Sequence, residues 1–203
     1  MAIGRDEKQI PVYLTKWRVK STDSIYLKTK RKNKASLDEL TDIGGLRILC
    51  MFEQDLVPVN EYLVGILSDK DYKLLEFKVF NWHDEKFIRG LKNQVKEKFK
   101  NYKDDDQESR KRQGSYKSVH YVVSRVVGDN TCKIEIQLRT LLQDVWAELE
   151  HTLVYKKTSV HPHIRKSFDL LARDLETNDL LLTHLKDISE EEQQIESIAL
   201  EGV

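Results

Sequence analysis

Apolar residues recur along the chain with two periods, and the switches between them mark its elements. The run Gly45-Leu-Arg-Ile-Leu-Cys-Met-Phe52 is short and nearly all apolar, which predicts a buried strand. From Asp55 to Leu67 the apolar positions Val59, Leu63, Ile66 and Leu67 fall at helical spacing, and Tyr72 to Phe80 alternates as a strand does. Phe87, Leu91, Val95 and Phe99 recur every fourth residue within the lysine-rich stretch from His83 to Lys103, which predicts a surface helix. Lys103 to Gln113 is charged and aperiodic and reads as a loop. Val119 to Val127 and Thr131 to Leu138 predict a hairpin turning at Gly128-Asp129-Asn130. A helix follows from Leu141 to Tyr155. Beyond Pro162, Phe168, Leu171, Leu175, Leu182 and Leu185 predict a long amphipathic helix or a helical pair. Near the front, Ser24 to Lys34 reads as a polar helix, and Ser36-Leu-Asp-Glu offers a capping box for a short helix leading to Thr41. Strands and helices therefore share one α/β core with a helical C-terminal extension.

Composition narrows the class. The 203 residues are 33% charged and 39% hydrophobic, suited to a single globular domain with a substantial core. There is no apolar run of the roughly 20 residues a membrane span needs, and no secretory leader pattern at the start. Cys50 and Cys132 both lie in strand-like runs and are expected as reduced core thiols of a cytoplasmic protein. The formal net charge of zero hides a polarity. Lys16, Arg18, Lys20, Lys28, Lys30, Arg31, Lys32 and Lys34 face only Asp23 near the front, whereas the stretch after Arg173 is acidic. An anionic ligand near the front is the implied partner, although a solvated basic face would read alike.

Three constellations carry chemistry. Asp42-Ile-Gly-Gly-Leu-Arg-Ile48 sets an acid at a strand entrance, with Arg47 leaving the apolar face; a plain helix-to-strand turn has the same pattern. In Lys133-Ile-Glu-Ile-Gln-Leu-Arg-Thr140, the residues Glu135, Gln137 and Arg139 share one face of a strand. A carboxylate, an amide and a guanidinium there could supply a metal ligand, an orienting hydrogen bonder and a phosphate fork, although an ordinary solvent-facing stripe looks the same. Asp42 and Glu135 on neighbouring strands could hold a magnesium ion bridging nucleotide phosphates. Tyr116, Ser118 and His120 share a face suited to base stacking and edge recognition, or to packing.

In order along residues 18 to 156, Arg18-Val-Lys20, Ser24-Ile and Lys28, Asp42-Ile-Gly-Gly-Leu-Arg47, Tyr116-Lys-Ser-Val-His120, Glu135-Ile-Gln-Leu-Arg-Thr140 and Trp146-Ala-Glu-Leu-Glu-His151 with Tyr155-Lys156 resemble the synthetase domain of the RelA/SpoT family. The resemblance implies a nucleotidyltransferase (Pol-β-like) fold, α/β (α+β), with a mixed sheet flanked by helices. It implies residues 1–157 as the synthetase domain and 158–203 as a helical extension packing on it or on a partner subunit. The implied reaction moves the β,γ-pyrophosphate of ATP to the 3′-hydroxyl of GDP or GTP with Mg2+. Arg18, Lys20, Ser24, Lys28 and Arg47 would bind ATP, and Asp42 and Glu135 would be the catalytic, metal-binding pair. Tyr116, His120, Gln137 and Arg139 would bind the acceptor. The sequence departs from the family on the acceptor side: Ser115 precedes Tyr116 where a glycine is usual, and Asp104–Arg112 replaces a basic stretch. Toxin-type members act instead on tRNA 3′ ends or adenine nucleotides, and a third reading is a non-catalytic nucleotide-binding module. A homo-oligomer is expected, although only 17 residues stand ahead of Arg18, where family members carry the helices that build their tetramer.

Overall fold

The structure, a computed structural model, describes residues 10–32, 40–102, 117–154 and 161–201. Its strands are β1 (Leu14–Val19), β2 (Gly44–Cys50), β3 (Lys73–Phe80), β4 (Ser118–Val127) and β5 (Asn130–Thr140). Its helices among the described residues are α1 (Thr22–Lys32), α2 (Leu56–Asp69), α3 (Glu85–Lys98), α4 (Leu141–Leu153) and α5 (Pro162–Glu201), with a 3-10 turn at Glu53–Asp55. The strands form one sheet in the order β1-β2-β5-β4-β3, mixed because β2 and β5 run parallel and every other pair antiparallel. This is the mixed α+β sheet with a C-terminal helical extension that the pattern and the resemblance imply.

Local chemistry explains most boundaries. Asp84 caps α3, its carboxylate accepting from Lys86 N–H at 2.8 Å and Phe87 N–H at 3.1 Å. Thr140 and Gln143 close a capping box at the head of α4, a cap the sequence reading passes over. The β4–β5 hairpin turns at Gly128, whose φ of 61° suits a residue without Cβ. Pro162 opens α5, which runs as one helix of 40 residues and not a pair. The helix anticipated from Ser36 lies outside the described residues. The strand β1 has no counterpart in the reading. It is an edge strand exposed along its whole length, so the contrast between buried and solvated positions that reveals a strand is absent.

Alternation divides the sheet into two faces. Ile48, Cys50, Phe77, Val79, Tyr121, Ile136 and Leu138 point to one side and are buried with Leu56, Val59, Leu63, Leu91 and Val95 of α2 and α3. Tyr121 is fully buried there, and its hydroxyl donates to Asn60 Oδ1 of α2. A second, smaller cluster joins Phe80, Trp146 of α4 and Ala172 of α5, with Phe168, Leu171 and Leu175 against it. Farther along α5, Lys186 pairs with Asp55 and Asp187 accepts from Gln54 at 2.9 Å, tying that helix to the 3-10 turn. One expectation fails: Cys50 is buried, but Cys132 is exposed near the hairpin turn, where the ladder has outrun the helices that cover it. Among the described residues no helix is long and apolar enough to cross a membrane.

Candidate active site

The face opposite α2 and α3 carries the charge, and strand register sets its layout. Arg18, Gly45 and Glu135 lie abreast on β1, β2 and β5. One step along, Lys16, Arg47, Gln137 and His120 lie abreast on β1, β2, β5 and β4. Residues directly opposite in a ladder project to the same side, so the two rows form the floor of a cleft. A cavity of about 180 Å3 opens over it, lined among others by Arg18, Gly45, Arg47, Glu135, Gln137 and Glu148. Gly45 contributes backbone alone, leaving the floor open between Arg18 and Glu135.

Asp42 stands two residues ahead of β2. Its Oδ2 accepts from both Lys20 and Lys28, and Lys20 also donates to the Asp42 carbonyl at 2.9 Å. Burial pushes the Asp42 carboxyl up, but the hydrogen bonds and charges of the two lysines outweigh this and hold it below its ordinary value. Burial pulls the Lys20 ammonium down, even beside its carboxylate partner. Asp42 Oδ1 is buried and has no hydrogen-bond partner among the described residues.

Glu135 lies 3.2 Å from His120 Nδ1. Burial raises its carboxyl, the His120 hydrogen bond and charge more than reverse that, and Asp42 pushes it upward through space. The net direction is down, so Glu135 is ionised at neutral pH. Among the described residues there is no group of three or more His, Cys, Asp or Glu side chains fit for a metal ion. Two hard oxygen ligands are still the set that magnesium takes when phosphates and water complete its shell, and the buried Oδ1 of Asp42, which accepts no hydrogen bond among the described residues, could serve as one of them.

The anticipated residues are brought together unequally. Arg18, Arg47, Glu135 and Gln137 line the cleft, with His120 beside Glu135 and the Asp42–Lys20–Lys28 cluster at the sheet edge. Ser24 is exposed on the first turn of α1, and its hydroxyl accepts from Ser21 at 3.0 Å. Arg139 is 1% exposed and donates to Gln137 Oε1, so it reaches the cleft through that amide and does not line it. Tyr116 lies outside the described residues. Sequence reasoning missed Lys16, Asp144 and Glu148: Asp144 is 2% exposed and pairs with Lys16 and Arg47, and Glu148 also pairs with Arg47. The Arg47 hydrogen bond holds the Glu148 carboxyl below its usual value. The available signal was the i, i+4 spacing of Asp144 and Glu148, which sets two acids on one helix face.

The fold agrees with comparisons to known proteins. The family model described as "Region found in RelA / SpoT proteins" matches residues 17–160, and the chain belongs to that family. It is 28% identical over 157 residues to the GTP pyrophosphokinase YjbM of Bacillus subtilis, covering 74% of this chain and 60% of that protein. It is 30% identical over 155 residues to YwaC, a second GTP pyrophosphokinase of that organism, covering 72% of this chain and again 60% of the relative. The chain therefore spans about 60% of the length of these relatives. Among solved structures, a GTP pyrophosphokinase family protein from Streptococcus pneumoniae superposes with a TM-score of 0.65 at 25% identity, covering 91% of this chain and 80% of that one. The small alarmone synthetase 1 of B. subtilis bound to its product pppGpp gives 0.61 at 25% identity, covering 87% and 79%.

Proposed function

We propose that the chain is an ATP-dependent pyrophosphokinase that transfers the β,γ-pyrophosphate of ATP to the 3′-hydroxyl of GDP or GTP, making (p)ppGpp. The observation that carries this reading is the cleft floor itself: Arg18 and Glu135 brought abreast by register on either side of Gly45, Arg47 and Gln137 abreast in the next row, and Asp42 at the strand entrance. The family membership supports it, as do the relatives named GTP pyrophosphokinases and the relative bound to pppGpp.

In this reading the acceptor's 3′ oxygen attacks the β-phosphorus of ATP. The bond from that phosphorus to the oxygen bridging the α-phosphate breaks, AMP leaves with the oxygen, and the 3′-hydroxyl proton passes to Glu135. Ionised Glu135 can take that proton, and His120 holds its carboxylate in place. Arg18, Lys20, Lys28 and Arg47 supply positive charge for the donor phosphates, with Ser24 at the margin, and Gln137, with Arg139 behind it, and His120 face the acceptor, whose base Tyr116 is expected from the sequence to bind. Asp42 and Glu135 would hold Mg2+, which neutralises phosphate charge when bound. The rest is orientation and electrostatics, which carry most of the rate in phosphoryl transfer. Nucleotide substrates and free thiols fit a cytoplasmic protein. Exposed Leu181, Leu185, Ile188 and Ile195 along α5 support a homo-oligomer.

The test is incubation with magnesium, γ-labelled ATP and GDP, GTP, ADP or deacylated tRNA in turn. Label on GDP or GTP with release of AMP is expected. Label on tRNA alone would overturn the guanine-nucleotide acceptor. The variant Asp42→Asn is expected to fold and to lose transfer.

A further inference from the structure

Three cations from three strands converge on one buried carboxylate of α4. Asp144 Oδ2 is 2.8 Å from Lys16 Nζ of β1, and its Oδ1 lies 3.2 Å from Arg47 Nη1 of β2 and 3.5 Å from Arg139 Nη1 of β5. Asp144 is 2% exposed and Arg139 1%. Arg47 is held again by Glu148, one turn farther along α4, and Arg139 holds Gln137. A single carboxylate thus joins the arginine assigned to the donor phosphates with the arginine–glutamine pair assigned to the acceptor.

The anchor is stiff. Aspartate has the shortest ionised side chain, so its position follows the backbone. That backbone sits in the first turn of α4, where the helix dipole favours an anion. Thr140 and Gln143 fix where the helix starts, and both donate to Asp179 of α5, at 2.8 Å and 3.3 Å. Arginine has many rotamers, and an arginine on an open sheet face would sample them. Tied to a capped and clamped helix, Arg47 on the cleft floor and Arg139 behind Gln137 are both referred to one carboxylate.

We propose that Asp144 is a positioning residue for pyrophosphoryl transfer, holding Arg47 and Arg139 in register so that the two nucleotides meet in line. The role rests on the pyrophosphokinase reading. It differs from simple charge balance for buried Arg139, which any carboxylate at this position would satisfy. Asp144→Glu keeps the charge and lengthens the arm by one methylene, so it separates geometry from charge. Transfer from ATP to GDP is measured at steady state for the parent, Asp144→Glu and Asp144→Asn, with near-UV circular dichroism reporting the fold. A displacement on the scale of one ångström costs about 100-fold in rate, so a kcat about 10- to 100-fold lower is expected for folded Asp144→Glu, with KM for each nucleotide within about threefold. Asp144→Asn is expected to lose at least as much; if it does not fold, Asp144→Glu decides alone. In an Arg47→Ala background the further loss from Asp144→Glu should shrink, because Asp144 acts through that arginine. Parent-like kcat in folded Asp144→Glu, or a loss that multiplies in full on Arg47→Ala, overturns the role and leaves the pyrophosphokinase reading intact. No transfer by the parent to any acceptor overturns both.

Discussion

Ile48, Tyr121, Ile136 and Leu138 lie beneath α2 and α3, and one residue away on the same strands Arg47, His120, Glu135 and Gln137 lie on the opposite side. The first set is held by exclusion of water. The second is held by reciprocal charge and hydrogen bonding: Arg47 by Asp144 and Glu148, Asp42 by Lys20 and Lys28, and Glu135 beside the His120 imidazole. A buried ion keeps its charge only with a partner nearby, so this face needs the helix α4 as a source of carboxylates more than as a lid. The comparison teaches that period-two alternation builds stability and chemistry from the same strands, and that the two should come apart under mutation.

The largest expected effect falls on the charged face. Glu135→Gln should lower the transfer rate by about 10^3-fold or more, the scale of losing a general base, with an unfolding midpoint close to the parent's. A variant that transfers normally would remove Glu135 from the chemistry, and one that unfolds would make it a structural residue.

On the apolar face the expectation reverses. Leu138 is 0% exposed, and Leu138→Ala should cost roughly 2–5 kcal/mol of unfolding free energy in urea titrations. The rate per folded molecule should stay near the parent's. Rate loss without loss of stability would mean that the faces are not independent.

The seam between α4 and α5 offers a pH test. Asp179 is 3% exposed, and burial pushes its carboxyl from 3.8 up to about 6, with Glu53 adding to the rise and Thr140 opposing it. The folded chain therefore binds this proton more tightly than the unfolded one. The stability so gained is fully present below about pH 4 and lost as pH rises through about 6, a change of roughly 3 kcal/mol. Asp179→Asn has no such proton, so its stability relative to the parent should improve by about that amount between pH 4 and 7.5. Urea titrations of both proteins at pH 4, 5, 6 and 7.5 read this directly, and parallel curves would contradict it.

The smallest effect is expected where the hairpin outruns both faces. Val126 is exposed, and Val126→Thr should change stability by no more than about 0.5 kcal/mol and transfer not at all. A larger change would reveal a contact that this surface makes with another molecule.

Legibility followed the same division. The strands β2 and β5, the helices α2 and α3 and the β4–β5 hairpin were readable because one face of each is buried and the apolar period records it. The side of the sheet that Arg47, Glu135 and Gln137 take was readable because alternation puts them opposite that period, whereas Asp42 was legible only as an acid at a strand entrance. The edge strand β1 was not, since exposure leaves both its faces permissive. The fate of Cys132 was not, since its run looks like Cys50's but extends past the covering helices.

The sequence by itself determined which residues share a face, because side-chain direction in a strand is fixed by backbone geometry two residues at a time. It determined the family as well, through the order of its motifs. Only the tertiary structure decided which strands lie abreast, and so that Arg18 meets Glu135 across Gly45 while Arg47 meets Gln137. Only it decided that Arg139 is buried against Asp144 and not turned to solvent. Those contacts join residues far apart in the chain, and pairing over such separations is set by how the whole core closes, which no local period encodes.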